Sequence, residues 1–205
     1  MARSKSSKAW LHRHVSDPYV QRAQVEGYRA RSAYKLLQLN ERDRFLKLGM
    51  LVVDLGAAPG GWSQVAAKTV GARGQVVALD LLEMTPVPGV RVIQGDFAET
   101  AVLRDLLQAL GGASVDLVLS DMAPNLSGIA LSDQGRSVAL AELALDFARE
   151  HLKPGGALLV KMFQGAGFQE FVVALRQVFA KVSARKPDAS RSRSSEVYLL
   201  GTGKR

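Results

Sequence analysis

The chain has 205 residues, is 47% apolar and contains no cysteine; this suits one α/β-sized domain with a buried core and excludes disulfides, thiolate metal sites and cysteine-nucleophile chemistry. Its net charge of +8 is uneven: residues 1–35 hold eight Lys/Arg against two Asp/Glu, residues 176–193 hold six against one, and the body between is mildly acidic. Two basic segments fit a nucleic-acid footprint, with solvated basic ends as the plain alternative, and the absence of a membrane-length apolar run or an apolar signal region leaves a cytoplasmic protein as the expectation.

Residues 1–30 read as a basic arm followed by a helix, and residues 31–205 as the main domain. Asp17-Pro18 offers a helix cap with proline at the first helical position, so a helix is expected from there to Glu26, before Gly27. A second helix is expected from about Arg31 to Arg44, with Ala33, Leu36, Leu37 and Phe45 on its buried stripe and Lys35 near the edge. After Gly49 the pattern changes to short apolar runs: MLVVDLG, QVVALD, VRVIQGD, VDLVLSD and GALLVKMF. Continuous apolarity predicts strands covered on both faces, as in a parallel sheet. Helical patterns intervene at TAVLRDLLQALGG, RSVALAELALDFAREHL and GFQEFVVALRQVF. The end, KVSARKP then EVYLLGTG, reads as two strands joined by a polar loop. The fold class is therefore α/β, a doubly wound sheet.

The stretch from Val52 to Ser63 joins a strand to a helix through Gly56-Ala57-Ala58-Pro59-Gly60-Gly61. Small residues let a backbone approach a ligand closely. The Gly-Lys-Ser/Thr ending of a phosphate-binding loop is missing, and the spacing suits a nucleoside with an amino-acid tail better than a pyrophosphate. The next two strands end in acids. Asp80 could accept from ribose hydroxyls and Asp96 from an adenine amino group; either could equally be a helix or turn cap.

The stretches DLGAAPGGWSQ, LSDMAPNLSG, VKMFQG and ARKPDASRSRSSEVYLL together resemble the FtsJ/RrmJ family of ribose 2′-O-methyltransferases, over residues 7 to 203. The resemblance implies a Rossmann-like class I methyltransferase fold with a mostly parallel seven-stranded sheet and helices on both faces. It implies S-adenosylmethionine as methyl donor and a uridine of the large-subunit (23S) ribosomal RNA as acceptor, the protein acting as a monomer. It also implies a catalytic tetrad of Lys35, Asp121, Lys161 and Glu196. Cofactor contacts would fall on Gly60, Trp62, Asp80, Asp96 and Asp121.

Methyl transfer from a sulfonium has a good, neutral leaving group, so the protein mainly aligns the partners and accepts the hydroxyl proton. Lys161 is the candidate base. Free lysine is almost fully protonated near pH 7; burial and the Lys35 charge favour a neutral amine at Lys161, whereas Asp121 favours the ammonium. Lys161 follows the apolar run ALLV, where a solvated charge is less expected. Base C5 methylation would need a cysteine, and no residue cluster suggests a metal: His12, His14 and His151 are scattered. Trp10, Tyr19, Tyr28 and Tyr34 could stack on bases, with helix packing favoured for Tyr34 and Tyr19. Three other functions compete: the same reaction on another RNA such as tRNA, a non-catalytic ribosome-assembly factor, and a nicotinamide-dependent oxidoreductase.

Overall fold

A computed structural model describes residues 17–124, 130–191 and 194–205; Trp10, His12 and His14 lie outside them. The Asp17 side chain accepts from the Tyr19 N–H, and α1 (Pro18–Glu26) ends at Gly27, where φ is 75°. In α2 (Ser32–Asp43), Ala33, Tyr34, Leu36 and Leu39 turn inward. Leu37 is only half buried, and Phe45 is buried beyond the helix end.

The strands are β1 (Leu51–Leu55), β2 (Gln75–Asp80), β3 (Val90–Gln94), β4 (Val115–Ser120), β5 (Leu152–Phe163), β6 (Phe179–Arg185) and β7 (Glu196–Lys204). Their order is β3-β2-β1-β4-β5-β7-β6. β7 runs antiparallel to both neighbours, while β1 to β5 pair in parallel. The sheet is thus the mixed, mostly parallel one that the resemblance implied.

Helices α3 (Gly61–Val70), α4 (Thr100–Leu110), α5 (Ala130–His151) and α6 (Phe168–Val178) complete the layers. One core packs Leu106, Leu145 and Phe171 of α4 to α6 against Leu55, Val118 and Leu158. The other packs Leu36 of α2 and Trp62 and Val65 of α3 against Val52, Leu119 and Tyr198. Burying one such leucine or valine side chain is worth about 1.5–3 kcal/mol, which is why the central strands are mostly apolar. Three differences from the sequence reading stand out. β3 is an edge strand and only part-buried, with Arg91 exposed. α5 begins at Ala130, well before the periodic stretch at Arg136, although Ser132, Asp133 and Gly135 look like turn residues. β5 begins at Leu152, paired with Val115, before a register shift across the Pro154–Gly156 bend.

Sheet order places the site. From β1 the chain winds outward through β2 and β3, then returns to β4 on the other side of β1. The connections after β1 and β4 therefore diverge and leave a crevice at the carboxyl ends of these two strands, where open α/β sheets bind ligands.

Candidate active site

Leu55 of β1 pairs with Ser120 of β4, so Gly56 and Asp121 leave the sheet side by side. The Asp121 N–H donates to the Leu55 carbonyl at 3.1 Å. They open onto a cleft of about 420 Å³ lined also by Ala58, Asp80, Leu82, Asp96, Phe97 and Met122. The strand-end acids act as turn caps. Asp80 accepts from the N–H groups of Ala58 and Leu82, each at 2.8 Å, and Asp96 from that of Ala98 at 2.9 Å. Each carboxylate still faces the cleft and retains acceptor positions.

The glycines serve the protein's own packing as much as a ligand. Gly56 has φ 74°, and a Cβ there would lie 2.7 Å from Met122; Gly60 has φ 104°, and a Cβ would meet Met84 and Val87 at 3.0 Å. Gly60 and Trp62 are not on the cleft wall. The Trp62 side chain is buried, donates Nε1–H to the Ser32 carbonyl at 2.8 Å and lies 5.6 Å from the Tyr198 ring. Only main chain is left for these two residues to offer a cofactor. They sit where the first N–H groups of α3 have no side-chain cap, which suits a carboxylate.

The tetrad assembles beside this cleft. Val160 of β5 pairs with Ser120, which sets Lys161 next to Asp121. The Lys161 Nζ donates to the Asp121 carbonyl at 2.5 Å and lies 3.1 Å from the Asp121 carboxylate. Lys35 reaches across from α2 to Glu196 at 2.7 Å. Lys35, Lys161 and Glu196 line a second cavity of about 510 Å³ with Arg31, Arg191 and Phe163, and Ala123 lines both cavities. The two cavities therefore adjoin at Ala123.

The two pairs are joined by Tyr198, a residue the sequence reading missed. Lys35 donates to the Tyr198 hydroxyl at 3.2 Å, and that hydroxyl donates to Asp121 at 2.9 Å. Burial raises the Tyr198 phenol well above its ordinary value, and the Asp121 and Glu196 charges add to the effect; it stays neutral and can donate. Burial pushes Glu196 upward as well, but the Lys35 charge and hydrogen bond, with the Lys161 charge, hold it below the usual carboxylate range. A signal for Tyr198 was present in the sequence: it follows Glu196 by two residues on a strand, hence on the same face, and it pairs directly with Lys161. Asp54 was missed too. It is fully buried below the glycine-rich turn, accepts from the Ser63 hydroxyl at 2.6 Å, and has one oxygen without a partner. Burial pushes its carboxyl up to about 7, assisted by the charges of Asp121 and Asp80 against the Ser63 bond.

The sequence matches the FtsJ-like methyltransferase family over residues 28–204. The chain belongs to this family. It is 65% identical to the ribosomal RNA large subunit methyltransferase E of Azoarcus sp. (strain BH72), covering 98% of each chain. The crystal structure of a ribosomal RNA methyltransferase from Plasmodium falciparum superposes with a TM-score of 0.77 at 30% identity, covering 86% of this chain and 98% of that one. Fibrillarin from Aeropyrum pernix, solved with S-adenosylmethionine, shares the fold at a TM-score of 0.57 and 15% identity, covering 85% and 75%. As an FtsJ-like methyltransferase the chain is an enzyme, and the nicotinamide reading is set aside. Among the described residues no helix is long and apolar enough to cross a membrane.

Proposed function

We propose that the chain transfers a methyl group from S-adenosylmethionine to the ribose 2′-hydroxyl of a uridine in the 23S RNA of the large ribosomal subunit. It acts as a cytoplasmic monomer on the subunit or its precursor. The carrying observation is the unbroken line Lys161–Asp121–Tyr198–Lys35–Glu196, which links Asp121 on one cavity to Lys161, Lys35 and Glu196 on the cavity adjoining it. The cleft residues fit the cofactor: Asp80 offers an acceptor to ribose hydroxyls, Asp96 to an adenine amine, Phe97 and Leu82 flat apolar walls, and the start of α3 donors to a carboxylate. The cofactor supplies an electrophilic methyl group. Lys161, entering the step as a free amine, would take the hydroxyl proton on its lone pair as the ribose oxygen bonds to the methyl carbon and the sulfonium leaves as a neutral thioether; Asp121 orients Lys161, and Lys35 with Glu196 positions the ribose. Similarity to a large-subunit RNA methyltransferase at 65% identity supports this acceptor over tRNA, and the assembled tetrad speaks against a non-catalytic factor. Mass mapping of ribose methylation in 23S RNA with and without the protein should lose one 2′-O-methyluridine. An unchanged 23S map with a methylation lost from tRNA would overturn the assignment.

A further inference from the structure

Arg29 carries one of the charges that made the N-terminal segment look like an RNA contact, yet its guanidinium is engaged at the surface by the protein's own backbone. It donates to the carbonyl oxygens of Pro59 at 3.2 Å, Thr85 at 2.5 Å and Pro86 at 2.5 Å. Pro59 belongs to the glycine-rich turn; Thr85 and Pro86 belong to the loop between β2 and β3. The backbone of Arg29 is itself fixed: its N–H donates to the Gln64 side chain at 2.8 Å, and the other end of that amide donates to the Gly27 carbonyl at 3.1 Å. Gln64 lies on α3, so the helix that follows the turn aims the arginine back at it. Beneath the fork, a Cβ on Gly60 would find the Arg29 Cδ at 3.2 Å, beside Met84 and Val87.

We infer that Arg29 is a positioning residue for the cofactor: its guanidinium staples the glycine-rich turn to the loop after β2, and so holds the start of α3 and the Asp80 end of β2 in one arrangement. The inference rests on the proposed reading that S-adenosylmethionine lies against that turn. Three carbonyls on two separate segments need three N–H donors in a planar fork, which arginine has and lysine's single flexible ammonium cannot match in that geometry. The loop between β2 and β3 has no regular secondary structure of its own; a cross-link from outside is therefore an effective way to order it before ligand arrives, lowering the ordering cost of binding.

The test is calorimetry of S-adenosylmethionine binding to the full chain, with Arg29→Met, Arg29→Lys and Asp80→Ala compared with the parent. Arg29→Met keeps the stem over Gly60 and removes every donor; its Kd should rise on the order of tenfold, the equivalent of one lost charge-assisted hydrogen bond. Arg29→Lys should recover only part of this. In methyl transfer the KM for S-adenosylmethionine should rise far more than the rate at saturating cofactor falls, and backbone amides of residues 81–89 should exchange hydrogen faster. RNA affinity, measured by filter binding with a 23S fragment, should change less than twofold. An Arg29→Met protein that binds cofactor normally while Asp80→Ala does not overturns the staple and leaves the cleft assignment standing. Normal binding by Asp80→Ala overturns the cleft assignment itself. A loss of RNA affinity with cofactor binding intact makes Arg29 an RNA-binding residue and refutes the inference.

Discussion

Replacing Lys161 by alanine should cost more catalysis than any other single change at the site. Its side chain is buried to 9% exposure; entering the step as a free amine, it keeps two N–H donors for the Asp121 carbonyl and carboxylate and turns its lone pair to the cavity it lines. The other amine on that wall, Lys35, is held by Glu196 and Tyr198, so nothing nearby takes over the proton. The loss should therefore reach the full range for a positioned general base, about a hundred- to ten-thousandfold, or roughly 3–5 kcal/mol of barrier. Folding should suffer little, because Asp121 keeps the Tyr198 hydroxyl as a partner. Cofactor and RNA affinities should stay near those of the parent. Lys161→Arg should fail as badly, since a guanidinium does not release its proton near neutral pH. The assay is single-turnover methyl transfer with RNA and cofactor saturating. Near-normal rates for the arginine variant would refute the argument: Lys161 would then be a positioning charge, and the proton would leave through water or Asp121.

Tyr198→Phe should lower the single-turnover rate about tenfold and stability by about 1–2 kcal/mol, since one buried hydroxyl with two partners is removed; an unchanged rate would show that the Lys35–Glu196 pair works without the link. Asp54 tests the pH dependence. With its folded value raised to about 7, its contribution is fully present below the ordinary carboxylate range and is lost as pH rises through about 7. Asp54→Asn should therefore gain about 2–4 °C in Tm per kcal/mol at pH 8 and little at pH 4, and equal shifts at both would contradict the buried neutral acid. Charge reversal at Arg42, Lys186 and Arg191 should weaken RNA binding and flatten its log–log salt dependence by roughly 0.7 to 0.9 for each phosphate no longer neutralised, as filter binding across a salt series would show. Arg185→Ala should instead destabilise the fold, more at pH 7 than in acid. Its two bonds of 2.7 Å to Asp43 hold that carboxyl low, a contribution present above the ordinary range and lost as pH falls through the lowered value; equal Tm losses at both pH values would refute this.

The parts of the fold that were legible in the sequence are those where burial is symmetric. β1, β2 and β4 are covered on both faces, so the interiors of their runs are apolar apart from Asp54 and Asp116, and the acids that close β2 and follow β4 mark the carboxyl edge. β3 has only one neighbour and a part-exposed face, and its run is correspondingly weaker. The early turns of α5 were hidden because their support is tertiary: the Gln134 side chain packs where a Cβ on Gly165 would stand, 2.1 Å away, and no local propensity announces such an approach. The tetrad came from a resemblance, not from spacing. What spacing does supply is the strand-end logic that, once β4 and β5 are neighbours, Asp121 and Lys161 must meet.

Formal charge was the least transferable part of the sequence reading, for a physical reason. Arg29, Arg31 and Arg185 looked like RNA-binding residues because they lie in the two basic segments. In the structure Arg29 holds three carbonyls, Arg31 bridges Asp17 and the Ala189 carbonyl, and Arg185 grips Asp43 with two bonds. A guanidinium paired in this way has exchanged much of its hydration for fixed acceptors; turning it toward a phosphate would leave those acceptors unpaired at a cost of about 1–3 kcal/mol each where they are buried. The second segment does supply cations with exposed positions, Lys186 and Arg191 between β6 and β7, and Arg42 on the last turn of α2, outside both segments, is exposed beside them. Arg31, just before α2, and Lys35 line the cavity at the tetrad with Arg191, while Gln38 and Arg42 further along α2 line a second one with Arg185 and Lys186. The paired arginines are thus spent on the protein's own structure, and the exposed cations Arg42, Lys186 and Arg191 are the ones whose charge reversal tests where an RNA backbone exchanges its counterions.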